Sequence, residues 1–249
     1  VDMSIGSFAV IQGNLIGTDI TGNAALPINV TLPGANPFGN GAGIQMFTPN
    51  SIIGGAAPGA GNVISGNPAL GILADDLFRN PTGTNGILIS SATNLIVQGN
   101  KIGTNSAGTS AIPNGRFGGI LVTSPNVRIG GTAPGAGNII SGNQGPGIDV
   151  SGYVSTPLNI GALNTLIEGN FIGVDVTGTV AIANQDGGIR VGTDLLQSGN
   201  AASSSAIIGG ATPAARNVIA GNGALSSPAG GILVRQYSVG TQIFGNYIG

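Results

Sequence analysis

A short motif built on asparagine and isoleucine repeats through the whole sequence and constrains the fold more than any other feature. Asn-x-Ile-Gly alternates strictly with Asn-x-Ile-Ser or Asn-x-Ile-Ala, at a mean spacing of about 39 residues. Repetition at such a period is typical of solenoids and other repeat architectures. The repeated asparagines are Asn14, Asn62, Asn100, Asn138, Asn170, Asn217 and Asn246.

Two further columns accompany the asparagine column and complete each period. One lies just upstream and consists of Ile11, Ile53, Val97, Ile129, Ile167, Ile208 and Ile243. The other is a Gly-Ile pair that starts at Gly43, Gly86, Gly119, Gly147, Gly188 and Gly231. Each column sits in a short run of alternating polarity bounded by Gly, Asn or Pro, which is a strand signal, and no segment has a helical period.

Three short strands per period that stack on their counterparts in the next period predict an all-β parallel β-helix. We expect a single domain over residues 1–249, with about six to seven turns and loop insertions. Stacked asparagine side chains in such a coil can pass amide hydrogen bonds from turn to turn. Asx residues five positions after each asparagine are predicted to close turns on their own backbone. These are Asp19, Asn67, Asn105, Asn143, Asp175 and Asn222.

The composition excludes several classes of function. The chain has 7 Lys and Arg against 9 Asp and Glu, so it lacks the basic stripe that nucleic-acid binding requires. With 41% apolar residues it can bury a core, yet Gly, Asn and Pro interrupt every stretch long enough to span a membrane as a helix. With no Cys and no His, thiolate nucleophiles, imidazole bases and the usual zinc sites are excluded. We therefore predict no cofactor and no metal, and Asn105 in place of an acid argues against calcium at the equivalent Asp19 and Asp175.

The repeats resemble those of right-handed parallel β-helices of the pectin-lyase-like superfold, and most closely the arrays of large bacterial extracellular and surface proteins. The copies that carry the resemblance are 14–22, 170–178, 53–67 and 129–143. The resemblance implies a right-handed coil and an extracellular or cell-surface location. Proteins of this superfold often cleave or bind acidic polysaccharides, but a shared scaffold does not transfer an activity.

A catalytic site on such a scaffold needs clustered carboxylates, and glycosidases need two at a fixed separation. The outward position of the Gly-Ile strands brings Asp149 next to Arg190 on adjacent turns, with Glu168 around a corner. A cross-strand surface ion pair is the favoured interpretation of Asp149 and Arg190. The alternative is a polysaccharide groove, lyase or hydrolase, formed by Asp149, Glu168 and Arg190.

The same outward position carries Leu88, Leu121 and Leu233, which predicts a face covered either by a loop or by another subunit. The chain starts at Val1 and stops at Gly249 within a repeat, so we expect an excerpt of a longer array or a subunit that stacks end to end. Two hypotheses follow. The first is a non-catalytic stalk, adhesin or fibre segment that self-associates end to end or laterally, and the alternative is a carbohydrate-active β-helix.

Overall fold

The computed structural model describes residues 8–26, 42–68, 70–74, 92–151, 153–155, 158–192, 203–223 and 230–249. Twenty of its strands form three sheets in which every pairing is parallel, and each sheet takes one strand from each successive turn of the chain. The predicted parallel β-helix of six to seven turns is therefore confirmed. Crossovers between parallel strands of one sheet are right-handed in nearly all proteins, which is the hand that the resemblance implies.

The strands are numbered in chain order. The first sheet contains β1 (Val10–Ile11), β4 (Ile52–Gly54), β7 (Ile96–Gln98), β10 (Arg128–Gly130), β15 (Thr165–Glu168), β18 (Ala206–Gly209) and β21 (Gln242–Phe244). The second sheet contains β2 (Leu15–Ile16), β5 (Val63–Ile64), β8 (Lys101–Ile102), β11 (Ile139–Ile140), β16 (Phe171–Ile172), β19 (Val218–Ile219) and β22 (Tyr247–Ile248). The third sheet contains β3 (Ile44–Met46), β6 (Leu70–Ala74), β9 (Gly118–Val122), β12 (Ile148–Val150), β17 (Ile189–Val191) and β20 (Ile232–Val234).

Two smaller elements complete the described secondary structure. Strands β13 (Tyr153–Ser155) and β14 (Leu158–Ile160) form an antiparallel hairpin, and Pro213–Ala215 forms a single 3-10 turn. The described part of the chain holds no helix that is long and apolar enough to cross a membrane.

The core is a stack of β-branched side chains that point inward from all three sheets. In one turn Ile129, Ile140 and Ile148 meet at the axis, and each is 0% exposed. Burial of such a side chain contributes roughly 1.5–3 kcal/mol, so the stability of the coil is spread along its whole length. The same three columns are buried in most described turns, which explains why the sequence repeats them.

One strand of the third sheet departs from the prediction. The strand between β3 and β9 is formed by Gly71, Ile72 and Leu73 and not by the pair that starts at Gly86, since Ile72 aligns with both Ile44 and Ile120. Gly-Ile-Leu occurs twice within eighteen residues at this point of the sequence, and the motif alone cannot choose between the copies. Gly86 lies outside the described residues.

The seven repeated asparagines form a continuous hydrogen-bonded ladder between the first and second sheets. At each step the Nδ2 atom of one asparagine donates to the Oδ1 atom of the next over 2.9–3.0 Å, from Asn14 through to Asn246. Every backbone N–H along the way donates to that same Oδ1 atom. Because the asparagines between the two ends of the ladder, from Asn62 to Asn217, are buried, the ladder satisfies polar groups that water does not reach.

A second asparagine ladder lies between the second and third sheets. It runs through Asn67, Asn114, Asn143, Asn184 and Asn222, with Nδ2 to Oδ1 distances of 2.8–2.9 Å. Of the six Asx residues predicted to close turns, three therefore belong to this ladder. The other three, Asp19, Asn105 and Asp175, do close turns, because a loop of several residues follows each of them before the chain returns to the coil.

These three loops project from alternate turns and lie over the outer face of the second sheet. Each is a short hairpin closed by an antiparallel bridge, at Thr18 to Ala25, Thr104 to Ala111 and Val174 to Ala181. The loops contact one another, since the Ser106 N–H donates to the Gly22 carbonyl and the Val176 N–H donates to the Gly108 carbonyl, both over 2.9 Å. We refer to them together as the stacked loops.

Candidate functional site

The charged residues of the described chain are the natural place to look for chemistry, because they are so few. Five carboxylates are described, and each has a hydrogen-bond or ion-pair partner within the protein. They are Asp19, Asp149, Glu168, Asp175 and Asp186. Asp2, Asp75, Asp76 and Asp194 lie outside the described residues.

The densest cluster surrounds Asp149 on the outer face of the third sheet. Its Oδ1 atom accepts a hydrogen bond from the Ser151 hydroxyl and pairs with Arg235 at 2.9 Å, and both charged side chains are only about 15% exposed. Arg235 follows β20, whereas Asp149 lies in β12, two turns away. Gly192 occupies the intervening turn in the same register, and its lack of a side chain leaves the path open.

Arg190 is the strand neighbour of Asp149, as the sequence predicted, but its ion pair is made elsewhere. Its guanidinium lies 3.3 Å from Asp186, four residues earlier, and its Nε atom is buried without a hydrogen-bond partner. Burial raises the pKa of Asp149, while Arg235, Ser151 and Arg190 act in the opposite direction. The cluster is therefore electrically balanced, with two carboxylates and two guanidinium groups.

Glu168 lies on the first sheet and not with Asp149 and Arg190 on the third. Its Oε1 atom accepts from the Nε and NH2 atoms of Arg128, at 3.1 and 2.5 Å, on the neighbouring strand. The Glu168 side chain is 8% exposed and that of Arg128 is 44% exposed. The two acids thus lie on different sheets, and each pairs with an arginine that the sequence reasoning missed. The register places Arg235 at the same position as Ser151, on the same face as Asp149, but it does not show which acid the arginine side chain reaches.

The predicted leucine face of the third sheet is interrupted. Leu121 has Leu73 and Asp149 as its strand neighbours, so the predicted adjacency of Leu88 and Leu121 is wrong, and Leu88 itself lies outside the described residues. Leu233 is separated from Leu121 by Asp149 and Arg190, and both leucines are half-buried. Leu121 and Leu233 therefore do not form one contiguous apolar surface.

A shallow depression of about 390 Å³ lies beside the 131–137 loop, lined by glycines, Thr132, Pro134, Phe171 and alanines, with no titratable side chain. The described residues also contain no group of three or more potential metal ligands.

Asp19 and Asp175 act as the caps of the first and third stacked loops. Hydrogen bonds lower the pKa of both carboxyl groups: the Asn23 N–H is the main cause at Asp19 and the Thr177 hydroxyl at Asp175. The Oδ1 atom of Asn105 accepts the equivalent backbone bonds in the middle loop. These bonds explain the recurrence of the acids without any bound ion.

We expect the two acid-capped loops to loosen at low pH while the middle loop does not. A depressed folded-state pKa means that the stabilisation is complete above the ordinary aspartate pKa of about 3.9 and is lost as the pH falls through the folded value. Amide hydrogen exchange, corrected for intrinsic rates, should show lost protection at Ala24 and Val180 near pH 2.5 relative to pH 6. Ser110 is the internal control, and an equal loss there would contradict the assignment.

No family model matches this chain, and no curated protein matches it. Two solved structures are similar to it, the periplasmic alginate epimerase AlgG and a mutant of that enzyme. Each is 17% identical in sequence, with a TM-score of 0.40, and the match covers 83% of this chain. The chain spans 38% of the length of the epimerase.

Proposed function

We propose that this chain is a non-catalytic structural or adhesive segment of an extracellular β-solenoid, such as a stalk or a fibre subunit. The observation that carries the proposal is that every described carboxylate is already engaged in a structural contact within the chain. All five described acids cap a turn or pair with an arginine, and the described charged cluster lies on the outer face of a sheet. A glycosidase instead keeps two carboxyl groups facing each other across a substrate.

The distribution of stabilising contacts supports the same role. Two continuous asparagine ladders and an apolar core run through successive turns, so each turn is stabilised mainly by its two neighbours. Such quasi-one-dimensional stability suits an element that spans distance. The resemblance of the repeats to arrays of extracellular and surface proteins supports a location outside the cytoplasm.

A carbohydrate-active β-helix is the second candidate, and the cluster around Asp149 favours it. A carboxyl group with a raised pKa beside two arginines and a serine hydroxyl has the components of an acid and an anion-binding group. In this candidate, Asp149 and Arg190 would contact an acidic polysaccharide, and Glu168 would serve a neighbouring subsite on the first sheet.

Incubation with anionic polysaccharides separates the two candidates. We expect no cleavage or epimerisation of alginate or polygalacturonate above a protein-free control, measured by reducing ends, by absorbance of unsaturated ends and by NMR of the products. Asp149→Asn and Glu168→Gln should leave this baseline unchanged, with Asp19→Asn as a carboxylate control outside the cluster. Turnover that is abolished by Asp149→Asn or Glu168→Gln in a folded protein, but retained in Asp19→Asn, would overturn the structural proposal.

A further inference from the structure

The strands of the first sheet carry consecutive apolar residues, although only one of each pair points into the core. Inward Ile11, Ile53, Val97, Ile167 and Ile208 are preceded by Val10, Ile52, Ile96, Leu166 and Ile207, which point outward. A sheet with one solvated face alternates apolar and polar residues, whereas a continuous apolar run is typical of a sheet that is covered on both faces. The pattern therefore indicates a covered exterior.

The second sheet shows what such a pattern means within this same chain. Its outward residues are also largely apolar, and the stacked loops lie over them: Gly108 lies against Ile139, and Gly178 lies against the ring of Phe171. Ile139, against which Gly108 lies, is only 7% exposed, and the outward Val63 on a neighbouring turn of the same sheet is also 7% exposed. Consecutive apolar residues on that sheet thus coincide with a cover that the chain itself supplies.

No residue in the outward column of the first sheet is as buried as Val63 or Ile139. Val10 is 50% exposed and Ile207 is 38% exposed, while Ile52, Ile96 and Leu166 are half-buried between their strand neighbours. The column is interrupted by Arg128, whose charge is balanced by Glu168 on the next strand, and it ends in the polar residue Gln242. We call the column Val10, Ile52, Ile96, Arg128, Leu166, Ile207 and Gln242 the outer stripe.

We propose that the outer stripe is an interface for a second copy of this chain. The stripe is nearly symmetric about Arg128, with three residues on either side of it. Consider two copies packed antiparallel, face to face, and related by a two-fold axis that passes through the level of Arg128. In this arrangement Ile96 of one copy faces Leu166 of the other, and Ile52 faces Ile207. Both of these pairs are apolar, and such self-complementarity is what an isologous interface requires.

Charge supports a second copy in the same arrangement. The axis brings the Arg128 and Glu168 pairs of the two copies together, so that the centre contains two guanidinium groups and two carboxylates with no net charge. A strongly charged partner would find no complementary charge on this face. The closed two-fold contact also leaves the ends of each coil free.

The dimensions predict a weak dimer. Seven strands about 4.8 Å apart form a face roughly 30 Å long, which buries on the order of several hundred Å² per copy, at the low end for specific interfaces. We therefore expect a dissociation constant in the micromolar range. The inference deepens the proposed structural role and rests on it, but its test reads association and is independent of any turnover of polysaccharide.

Sedimentation velocity of the 249-residue chain tests this inference. From about 1 to 300 µM the wild type should shift from monomer to dimer, a range that brackets weak interfaces. Ile96→Glu should weaken the dimer by at least about 30-fold, as charging a central contact does. Ile20→Glu is the matched control, because Ile20 is 93% exposed on a stacked loop away from the first sheet. This variant should dimerise as the wild type does.

The absence of cysteine allows a second measurement that does not depend on the folding of Ile96→Glu. A mixture of Ile96→Cys and Leu166→Cys proteins should give mixed crosslinked dimers with a short bis-maleimide, well above the yield from Ile20→Cys. A wild type that stays monomeric throughout the range overturns the proposal. Equal dimerisation of Ile96→Glu and Ile20→Glu, or crosslinking no better than in the control, overturns it as well.

Discussion

Asn138→Asp is expected to destabilise the β-helix by about 4 kcal/mol or more at neutral pH, although it replaces one NH2 group by an oxygen. Asn138 stands at the centre of the first ladder and is 1% exposed. Its Nδ2 atom donates to the Val97 carbonyl at 2.8 Å and to the Asn170 Oδ1 atom at 2.9 Å. A carboxylate there would face two acceptors and carry a buried charge.

The pH dependence distinguishes this cause from a general loss of packing. The new carboxyl group would have a folded-state pKa raised above its unfolded value of about 3.9, because only the neutral acid can donate a hydrogen bond in this position. The deficit relative to wild type should therefore be smallest near pH 4 and grow as the pH rises. A deficit that does not change with pH would contradict the donor role of Asn138.

Urea unfolding of the variant and the wild type at matched pH supplies the measurement. Asn126→Asp is the control, since Asn126 is exposed and its Oδ1 atom accepts a hydrogen bond from Asn164 at 3.2 Å. Its φ of 58° is positive, a conformation that aspartate also tolerates. We expect that control to stay within about 0.5 kcal/mol of the wild type. An equally large loss of stability in this control would show that a negative charge at any position on the coil is enough to destabilise it.

The first asparagine ladder also shows how much of the strand pairing can be predicted from the sequence. Asn62 and Asn100 are 38 residues apart, yet one recurring residue type at a corner specifies which strands stack, since each amide must find a partner on the next turn. The second ladder was harder to predict, because Asn114 and Asn184 follow a loop that Asn67 lacks. A fixed offset from the motif therefore misses them, although their chemistry is the same.

In the third sheet, the sequence alone does not determine which Gly-Ile-Leu segment forms a strand or which arginine pairs with Asp149. Gly-Ile-Leu occurs at both Gly71 and Gly86, and only the pairing of Leu73 with Leu121 selects the first copy. The partner of Asp149 was missed for a related reason. Column reasoning compares adjacent turns, whereas Arg235 reaches Asp149 across two turns, and the length of an arginine side chain is not visible in a register.

The glycines allow the second large effect to be predicted with a closely matched pair. Gly54 and Gly59 have φ values of +82° and +80°, so an alanine at either position carries the same backbone penalty of about 1–2 kcal/mol. Their surroundings differ completely. A Cβ atom at Gly54 would lie 1.9 Å from the Gln98 carbonyl oxygen and 2.4 Å from the Asn100 Oδ1 atom, whereas one at Gly59 would have no atom within 4 Å.

Gly54→Ala should therefore cost at least about 4 kcal/mol, and Gly59→Ala no more than about 2 kcal/mol, in the free energy of unfolding from urea titrations. The excess at Gly54 measures steric exclusion alone, because the conformational penalty cancels between the two variants. Relief of the clash would have to move the next turn away and break the bonds that the Asn100 Oδ1 atom accepts from Asn62. Equal losses in the two variants would mean that these glycines serve backbone conformation only. Unequal losses would assign the corner glycines to the close approach of successive turns, on which both the ladder and the parallel sheets depend.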